Sequence, residues 1–253
     1  MEFIPGQLFE YNAPANYTMV DFDNIKTMSP CVVDILIDNS SSVYNFQSEL
    51  AQALKNAKEL CEKGKFRRNL IFRMSRFNTD IGIEEIFGYI PIADLTDDML
   101  PTTFQCMTAS GNTAFTNLRW AIRETLKAGI NYCYCLEDRE KSPTYLLIVL
   151  SDGEDTEDQG KFNIPIGENK RSLQKARDSK KFQSLSLILF GINVEHCEEN
   201  LRSIAVQEGV DIMKLDLDSK NWKGFEELFS SSVAVASQGV TIPNSGAVDL
   251  NLS

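Results

Sequence analysis

The most informative stretch of the sequence is Cys31-Val-Val-Asp-Ile-Leu-Ile-Asp38-Asn-Ser-Ser-Ser42. Its first seven residues are almost continuously apolar, which is typical of a strand covered on both faces of a parallel sheet. The run ends in a polar cluster at Asp38, so a loop is predicted there. An amphipathic helix follows, because apolar residues then recur at three- and four-residue spacing and a glycine stops the pattern. These residues are Phe46, Leu50, Leu54, Ala57 and Cys61, with Gly64 as the stop.

The same alternation of strand and helix continues along the chain. Further strands are predicted near 70–77, 83–90, 145–150, 185–190 and 211–215, and helices near 118–129, 170–181, 198–207 and 222–236. Alternating strands and helices imply right-handed crossovers. We therefore expect an α/β fold with a doubly wound, mostly parallel central sheet and helices on both faces. The strand at 83–90 follows its predecessor so closely that it is expected to be an antiparallel edge strand.

Length and composition favour one domain with extensions. The chain has 253 residues, a size that compact α/β folds often reach as single units. Residues 1–30 have scattered prolines and no period, and they are predicted to be an N-terminal arm. Residues 31–237 are predicted to be the domain, and residues 238–253 a C-terminal tail.

Charge and cysteine content narrow the classes of function. The chain holds 25 basic and 36 acidic residues, a net charge of −11, which argues against nucleic acid and anionic membranes as partners. Its longest aliphatic run, Leu146 to Leu150, is far shorter than the ~20 residues of a membrane-spanning helix. The N-terminus shows no secretory signal, and Cys31 and Cys61 occupy predicted core positions. We expect a cytoplasmic protein.

Polar loops that follow strands are the place to look for a site, because sites in open α/β sheets form beyond the carboxyl ends of the strands. Three such loops stand out: Asp38-x-Ser40-x-Ser42, Ser110-Gly-Asn-Thr113 and Ser151-Asp152-Gly-Glu154. Together they offer two carboxylates and three hydroxyls. These are hard oxygen donors, which suit Mg²⁺ or Mn²⁺.

These three motifs resemble the metal-ion-dependent adhesion site of the von Willebrand factor A domain. Asp38, Ser40 and Ser42 match the family's Asp-x-Ser-x-Ser motif, Thr113 its threonine before the central helix, and Asp152 its aspartate after the fourth strand. The resemblance covers residues 31–237. It implies a site for Mg²⁺, with Mn²⁺ or Ca²⁺ as alternative ions, in which the three hydroxyls approach the ion directly and the two carboxylates often act through water.

The resemblance also implies what the site does. The family consists of metal-dependent protein-binding modules, so the expected partner is a protein whose Asp or Glu completes the metal's coordination, and no enzymatic activity or catalytic residue is expected. The Phe-rich final helix with Ser-Ser-Ser-Val is similar to the bacterial tellurite-resistance-associated group. That group implies a stress-response or phage-defence role beside kinase- or phosphatase-like proteins.

Other interpretations of the same residues remain. A metal-dependent hydrolase or phosphatase could use Asp38 and Asp152. Ser-His-Asp catalysis is disfavoured, because it would depend on the single histidine His196 and the sequence lacks Gly-x-Ser-x-Gly. Cys133 and Cys135 lack a second pair at zinc-like spacing. The segment 152–158 holds five acids and is either a solvated charged turn or a negative rim beside the metal.

Overall fold

The computed structural model describes residues 25–104, 116–153, 155, 164–192, 198–209, 211–214 and 222–239. Apart from short 3₁₀ turns, the regular structure in these ranges consists of strands and helices that alternate for most of the chain. They are β1 (Cys31–Asp38), α1 (Gln47–Lys63), β2 (Leu70–Asn78), β3 (Gly82–Pro91), α2 (Leu118–Glu137), β4 (Thr144–Ser151), α3 (Glu168–Asp178), β5 (Ser184–Gly191), α4 (Glu198–Glu208), β6 (Asp211–Lys214) and α5 (Trp222–Ala236).

The strands form one sheet in the order β3-β2-β1-β4-β5-β6. Every neighbouring pair is parallel except β2 and β3, which are antiparallel. The predicted fold class, with its antiparallel edge strand, is therefore confirmed. Because β1 and β4 are parallel neighbours at the centre of the sheet, their carboxyl ends lie side by side.

Helices cover the sheet on both faces, which explains the continuous apolar runs of the central strands. Val33, Ile35 and Ile37 of β1 belong to a core cluster with α1 and α5. Val32 and Leu36, on the other side of the same strand, belong to a cluster with α2, α3 and α4. Because successive side chains of a strand point to opposite faces of the sheet, alternate residues of β1 pack into two different hydrophobic cores.

Several boundaries differ from the sequence prediction. β1 extends one residue further, to Asp38, and a 3₁₀ turn at Ser41–Phe46 precedes α1. Phe46, predicted as the first apolar residue of the helix, therefore ends this turn while still packing on the core. β3 runs from Gly82 to Pro91 because its pairing with β2 continues to both ends despite register shifts.

A buried ion pair in the sheet interior was not predicted. Arg73 of β2 donates from Nε and Nη2 to Oδ1 and Oδ2 of Asp34 on β1, each at 2.9 Å. Tyr145 Oη donates to Asp34 Oδ2 at 2.7 Å, and Tyr89 Oη does so at 3.3 Å. Burial raises the pKa of Asp34, while Arg73 and the two phenols oppose that rise. The Arg73 and Asp34 side chains are almost completely buried, so each charge depends on the other.

The described end of the predicted N-terminal arm contacts the domain. The backbone NH groups of Ser142 and Thr144 donate to the carbonyl oxygens of Met28 and Pro30, at 2.9 and 2.8 Å. Residues 1–24 and 240–253 lie outside the described residues, so the extent of the arm and of the tail stays a prediction. No helix in the described part of the chain is long and apolar enough to span a membrane.

Candidate functional site

Asp38 is the last residue of β1, and its carboxylate is held in place on both oxygens. Oδ1 accepts the backbone NH of Ser40 at 2.9 Å, and Oδ2 accepts the hydroxyl of Ser151, the last residue of β4, at 2.7 Å. Ser151 in turn accepts the NH of Gly153 at 3.1 Å. These bonds connect the loop after β1 to the loop after β4 and fix the orientation of the Asp38 carboxylate.

The two predicted serine ligands lie together in the loop after β1. The hydroxyl oxygens of Ser40 and Ser42 are 2.9 Å apart and share a hydrogen bond. Asn78, at the end of β2, donates to the carbonyl oxygen of Asn39 at 3.1 Å, and Asn39 donates its NH to Phe77 O at 2.9 Å. These hydrogen bonds attach the loop to β2 in a conformation that keeps the Ser40 and Ser42 hydroxyls next to each other.

Asp152 follows β4 directly and is buried. The residue after it, Gly153, has φ +87°, and a Cβ there would lie 2.7 Å from the side chain of Leu201 on α4. Gly153 O also accepts a hydrogen bond from Asn200 Nδ2 at 2.7 Å. Only glycine satisfies both the left-handed backbone and the close approach to α4, so this glycine fixes the direction in which the chain leaves Asp152.

Asp152 lies close enough to Asp38 to raise the pKa of the Asp38 carboxyl. Burial and, secondly, the charge of Asp152 raise the pKa of Asp38 to about 7, against the hydrogen bonds from Ser151 and Ser40. No Lys or Arg among the described residues forms a salt bridge with Asp38. Two neighbouring buried carboxylates are the electrostatic environment that a bound divalent cation would relieve.

The structure thus brings together four of the five predicted metal ligands: Asp38, Ser40, Ser42 and Asp152. Their donors are all oxygen, which fits Mg²⁺. The fifth, Thr113, lies in the segment 105–115, outside the described residues. The described residues contain no group of three or more His, Cys, Asp or Glu side chains that could hold a metal, so a site built from the described residues here would include the serine hydroxyls.

Sequence reasoning missed the residues that support this site. The sequence places Ser151 only within a polar loop, although a serine between a buried strand and an aspartate is a signal of a side chain that could support the site. Arg119, in the first turn of α2, was not singled out. Its Nε lies 3.3 Å from Asp155 Oδ2 and 3.8 Å from Glu208 Oε1. Glu208 also accepts the backbone NH groups of Gly167 and Asn169, at 2.9 and 3.1 Å.

These contacts bear on the predicted acidic segment 152–158. The Asp155 side chain is only 3% exposed and faces Arg119, so it is neither a solvated charge nor a free negative rim. Glu154 and residues 156–158 lie outside the described residues, and the two interpretations stay open for them. Arg119 joins the start of α2, which follows the Thr113 segment, to the loop that follows Asp152.

The disfavoured alternatives gain nothing from the structure. Cys133 is buried and Cys135 is exposed on α2, because residues two apart on a helix point in different directions. Cys31 and Cys61 are buried free thiols, as predicted. His196 lies outside the described residues.

Comparison with known proteins gives matches among solved structures only, and these matches concern the fold. No known protein family matches the sequence, and no curated protein matches it. Among solved structures, the pilus adhesin SpaC from Lactobacillus rhamnosus GG superposes with a TM-score of 0.54 and 12% identity, over 84% of this chain and 30% of SpaC. Proximal thread matrix protein 1 from the mussel byssus gives 0.50 and 15%, over 81% of this chain and 48% of its own. A von Willebrand factor type A structure from Catenulispora acidiphila gives 0.46 and 18%, over 81% and 43%.

At identities of 12% to 18% these likenesses concern the fold alone. The chain spans 30% to 48% of the lengths of these three structures. The superpositions on SpaC and on the mussel protein show that this chain shares its α/β fold with solved structures. The resemblance of the strand exits to the von Willebrand factor A domain stays a prediction from the sequence.

The raised pKa of Asp38 predicts how the metal-free protein responds to pH. Folded Asp38 keeps its proton up to pH about 7, whereas an unfolded aspartate loses it near pH 4. Between these values the folded state binds more protons, so the free energy of unfolding falls as pH rises from about 4 to about 7, by an amount on the order of a few kcal/mol. Urea denaturation in EDTA at a series of pH values measures the slope.

The variant Asp38→Asn removes the titrating group and should flatten this slope, leaving a more stable metal-free protein at neutral pH. Asp178→Asn, which changes an exposed acid at the end of α3, is the control and should reproduce the wild-type slope. Equal slopes for wild type and Asp38→Asn would contradict the assignment.

Proposed function

We propose that this chain is a protein-interaction module that binds a carboxylate-bearing partner through a divalent cation held by Asp38, Ser40, Ser42, Thr113 and Asp152. The observation that carries the proposal is the pairing of two buried carboxylates with two hydrogen-bonded hydroxyls at one edge of the sheet. The proposed ion is Mg²⁺, with Mn²⁺ or Ca²⁺ as alternatives, and Thr113 enters on the resemblance alone.

The chemistry of the donors supports a site that is open to a partner. Mg²⁺ prefers six oxygen ligands and usually retains several waters. Two protein carboxylates balance the charge of the ion, and the remaining ligands are neutral hydroxyls or water. An exchangeable water position can then be taken by an Asp or Glu of another protein, with the metal bridging two otherwise repelling acids.

The chain's own residues have distinct roles in this proposal. Asp38, oriented by Ser151 and the NH of Ser40, holds negative charge at the end of β1. Ser40 and Ser42 present their hydroxyl oxygens from the adjoining loop. Gly153 sets the path of the chain beyond Asp152. Binding, and no chemical step, is the proposed outcome.

The biological setting rests on the resemblance and on the neighbours in fold. SpaC is a pilus adhesin, which agrees with a role in binding. The resemblance to the tellurite-resistance-associated group suggests a cytoplasmic protein of a bacterial stress-response or phage-defence system. Kinase- or phosphatase-like proteins are the proposed partners.

Thermal unfolding during a Mg²⁺ titration tests the metal site directly. Stabilisation is expected to grow with the logarithm of the Mg²⁺ concentration above the dissociation constant and to reach about 2.7 kcal/mol at 100 times that constant. Asp38→Ala and the double variant Ser40→Ala/Ser42→Ala should lose this stabilisation. Ser41→Ala, which removes the hydroxyl between the two proposed ligands, is the matched control and should keep it.

A flat response to both Mg²⁺ and Mn²⁺ would refute the metal claim. Pull-down of candidate kinase- and phosphatase-like partners with and without EDTA then tests binding, with Asp38→Ala beside the wild type. Turnover of phosphoester substrates that is abolished in Asp38→Ala and Asp152→Ala would instead favour the hydrolase.

A further inference from the structure

A groove lies at the end of the molecule where β2 begins, between α1, the turn that follows it and α5. Its volume is about 230 Å³, and most of its lining is apolar. Leu60 and Leu70 contribute from the α1 side, and Val233 and Ala234 contribute from α5. A cavity of this size is large enough for an apolar side chain from another molecule.

The turn that borders the groove carries an unusual charge. Residues 63–68 contain Lys63, Lys65, Arg67 and Arg68 and no acid, in a chain whose net charge is −11. All four basic residues are exposed, and Lys65 and Arg67 line the groove itself. This basic turn is therefore a positively charged region on a protein whose net charge is negative.

Among the described residues, the nearby acids balance only part of that charge. Lys63 Nζ lies 3.7 Å from Glu59 Oε2, and both side chains are exposed. Glu62 forms its ion pair with Lys58 on α1. Arg67 donates to the backbone oxygen of Glu62 at 3.5 Å. Lys65 Nζ lies 5.7 Å from the centre of the Phe66 ring.

We propose that this groove binds an acidic segment of a partner protein that inserts an apolar side chain between α1 and α5. The apolar lining of the groove would contact the inserted side chain, and the basic turn would pair with the acidic residues beside it. Polar rims around an apolar centre are the usual anatomy of a protein interface.

The same features argue against other classes of anionic partner. An anionic bilayer or a nucleic acid would bring a large negative surface against a protein with a net charge of −11, whereas a short peptide meets only the basic turn. A bilayer also requires apolar side chains that protrude, and these residues line a recess. Phosphate groups of a nucleic acid could contact the basic turn, but they would leave the apolar lining of the groove without a partner.

The groove and the proposed cation site lie at opposite ends of the parallel strands. Leu70, in the groove, pairs with Cys31 at the start of β1, whereas Asp38 ends the same strand. The eight residues of β1 span about 25 Å at ~3.3 Å per residue. A partner at one site therefore leaves the other site accessible, and the two proposals can fail independently.

Fluorescence anisotropy with three synthetic peptides of equal length tests the groove. The probes are a Glu/Leu peptide, a Lys/Leu peptide and a Glu/Ser peptide. We expect saturable binding of the Glu/Leu peptide to the full chain, roughly tenfold stronger than that of either other peptide and weakened by salt. Lys65→Glu/Arg67→Glu and Ala234→Trp, which fills the groove, should each reduce its affinity by roughly tenfold or more.

Two control variants separate this groove from charge in general and from the metal site. Lys170→Glu/Arg171→Glu changes two exposed basic residues on α3 by the same charge, and it should bind the Glu/Leu peptide as the wild type does. Asp38→Ala should also bind normally. Circular dichroism confirms that each variant is folded.

Three outcomes would overturn the proposal. One is an absence of saturable binding, and another is equal binding of the Glu/Leu and Glu/Ser peptides. The third is preferential binding to phosphatidylserine vesicles, lost in Lys65→Glu/Arg67→Glu, which would assign the basic turn to a membrane instead.

Discussion

Replacement of Arg73 by methionine is expected to lower the free energy of unfolding by about 3–5 kcal/mol, because it leaves the carboxylate of Asp34 buried without a counter-charge. The two residues form a doubly hydrogen-bonded pair with N···O distances of 2.9 Å, and both side chains are almost fully buried. The phenols of Tyr145 and Tyr89 remain but carry no positive charge. Urea denaturation followed by circular dichroism measures the loss.

Arg76→Met is the matched control, since it removes an arginine of the same strand. Arg76 pairs with Glu84, whose side chain is 47% exposed, and exposed pairs contribute about 0–1 kcal/mol. The double variant Asp34→Leu/Arg73→Met should recover part of the loss, since no unpaired buried charge remains, while the phenols of Tyr145 and Tyr89 lose Asp34 as their acceptor. Similar losses for Arg73→Met and Arg76→Met would show that the buried pair has no special role.

Substitution of Gly129 by alanine is expected to destabilise the protein although alanine is the better helix former. Gly129 lies in the middle of α2, where Gly→Ala ordinarily stabilises by roughly 1 kcal/mol. Here the added Cβ would lie 2.2 Å from Cε2 and Cζ of Tyr145. That ring is fully buried and its hydroxyl is bonded to Asp34. Overpacking of this kind costs about 1–3 kcal/mol, and thermal unfolding measures it.

The background Tyr145→Ala distinguishes a steric clash from other effects. Without the ring, Gly129→Ala should change sign and stabilise by roughly 1 kcal/mol. A loss of the same size in both backgrounds would mean that the contact with Tyr145 is not its cause.

The sequence allowed the fold to be predicted well because its strands are buried on both faces. The apolar runs of β1, β4 and β5 are too continuous for exposed strands, and the helices between them keep a clear period. The same runs located four predicted ligands that the structure brings together, since Asp38 is the last residue of one such strand and Asp152 directly follows another. Parallel strands that lie side by side then place their loops at one edge.

What could not be predicted depends on contacts between distant parts of the chain. Arg73 lies between Phe72 and Met74 on β2, and its partner Asp34 lies on β1, 39 positions earlier. Nothing local indicates that the two side chains meet. The same is true of Arg119 and Glu208, whose contact depends on how α2 and α4 pack. A charged residue within a buried run is a signal that a partner exists, but the fold alone identifies the partner.

β1 carries two buried carboxylates on the same side of the strand, Asp34 and Asp38, and selection for stability should act on them in opposite ways. The charge of Asp34 is matched by Arg73 within the chain, whereas Asp38 has Asp152 as its charged neighbour. A directed-evolution experiment that rewards heat resistance in EDTA should therefore retain Asp34 and replace Asp38. Heat-selected descendants would keep the fold and lose the proposed cation site, because selection for stability alone removes a locally destabilising group.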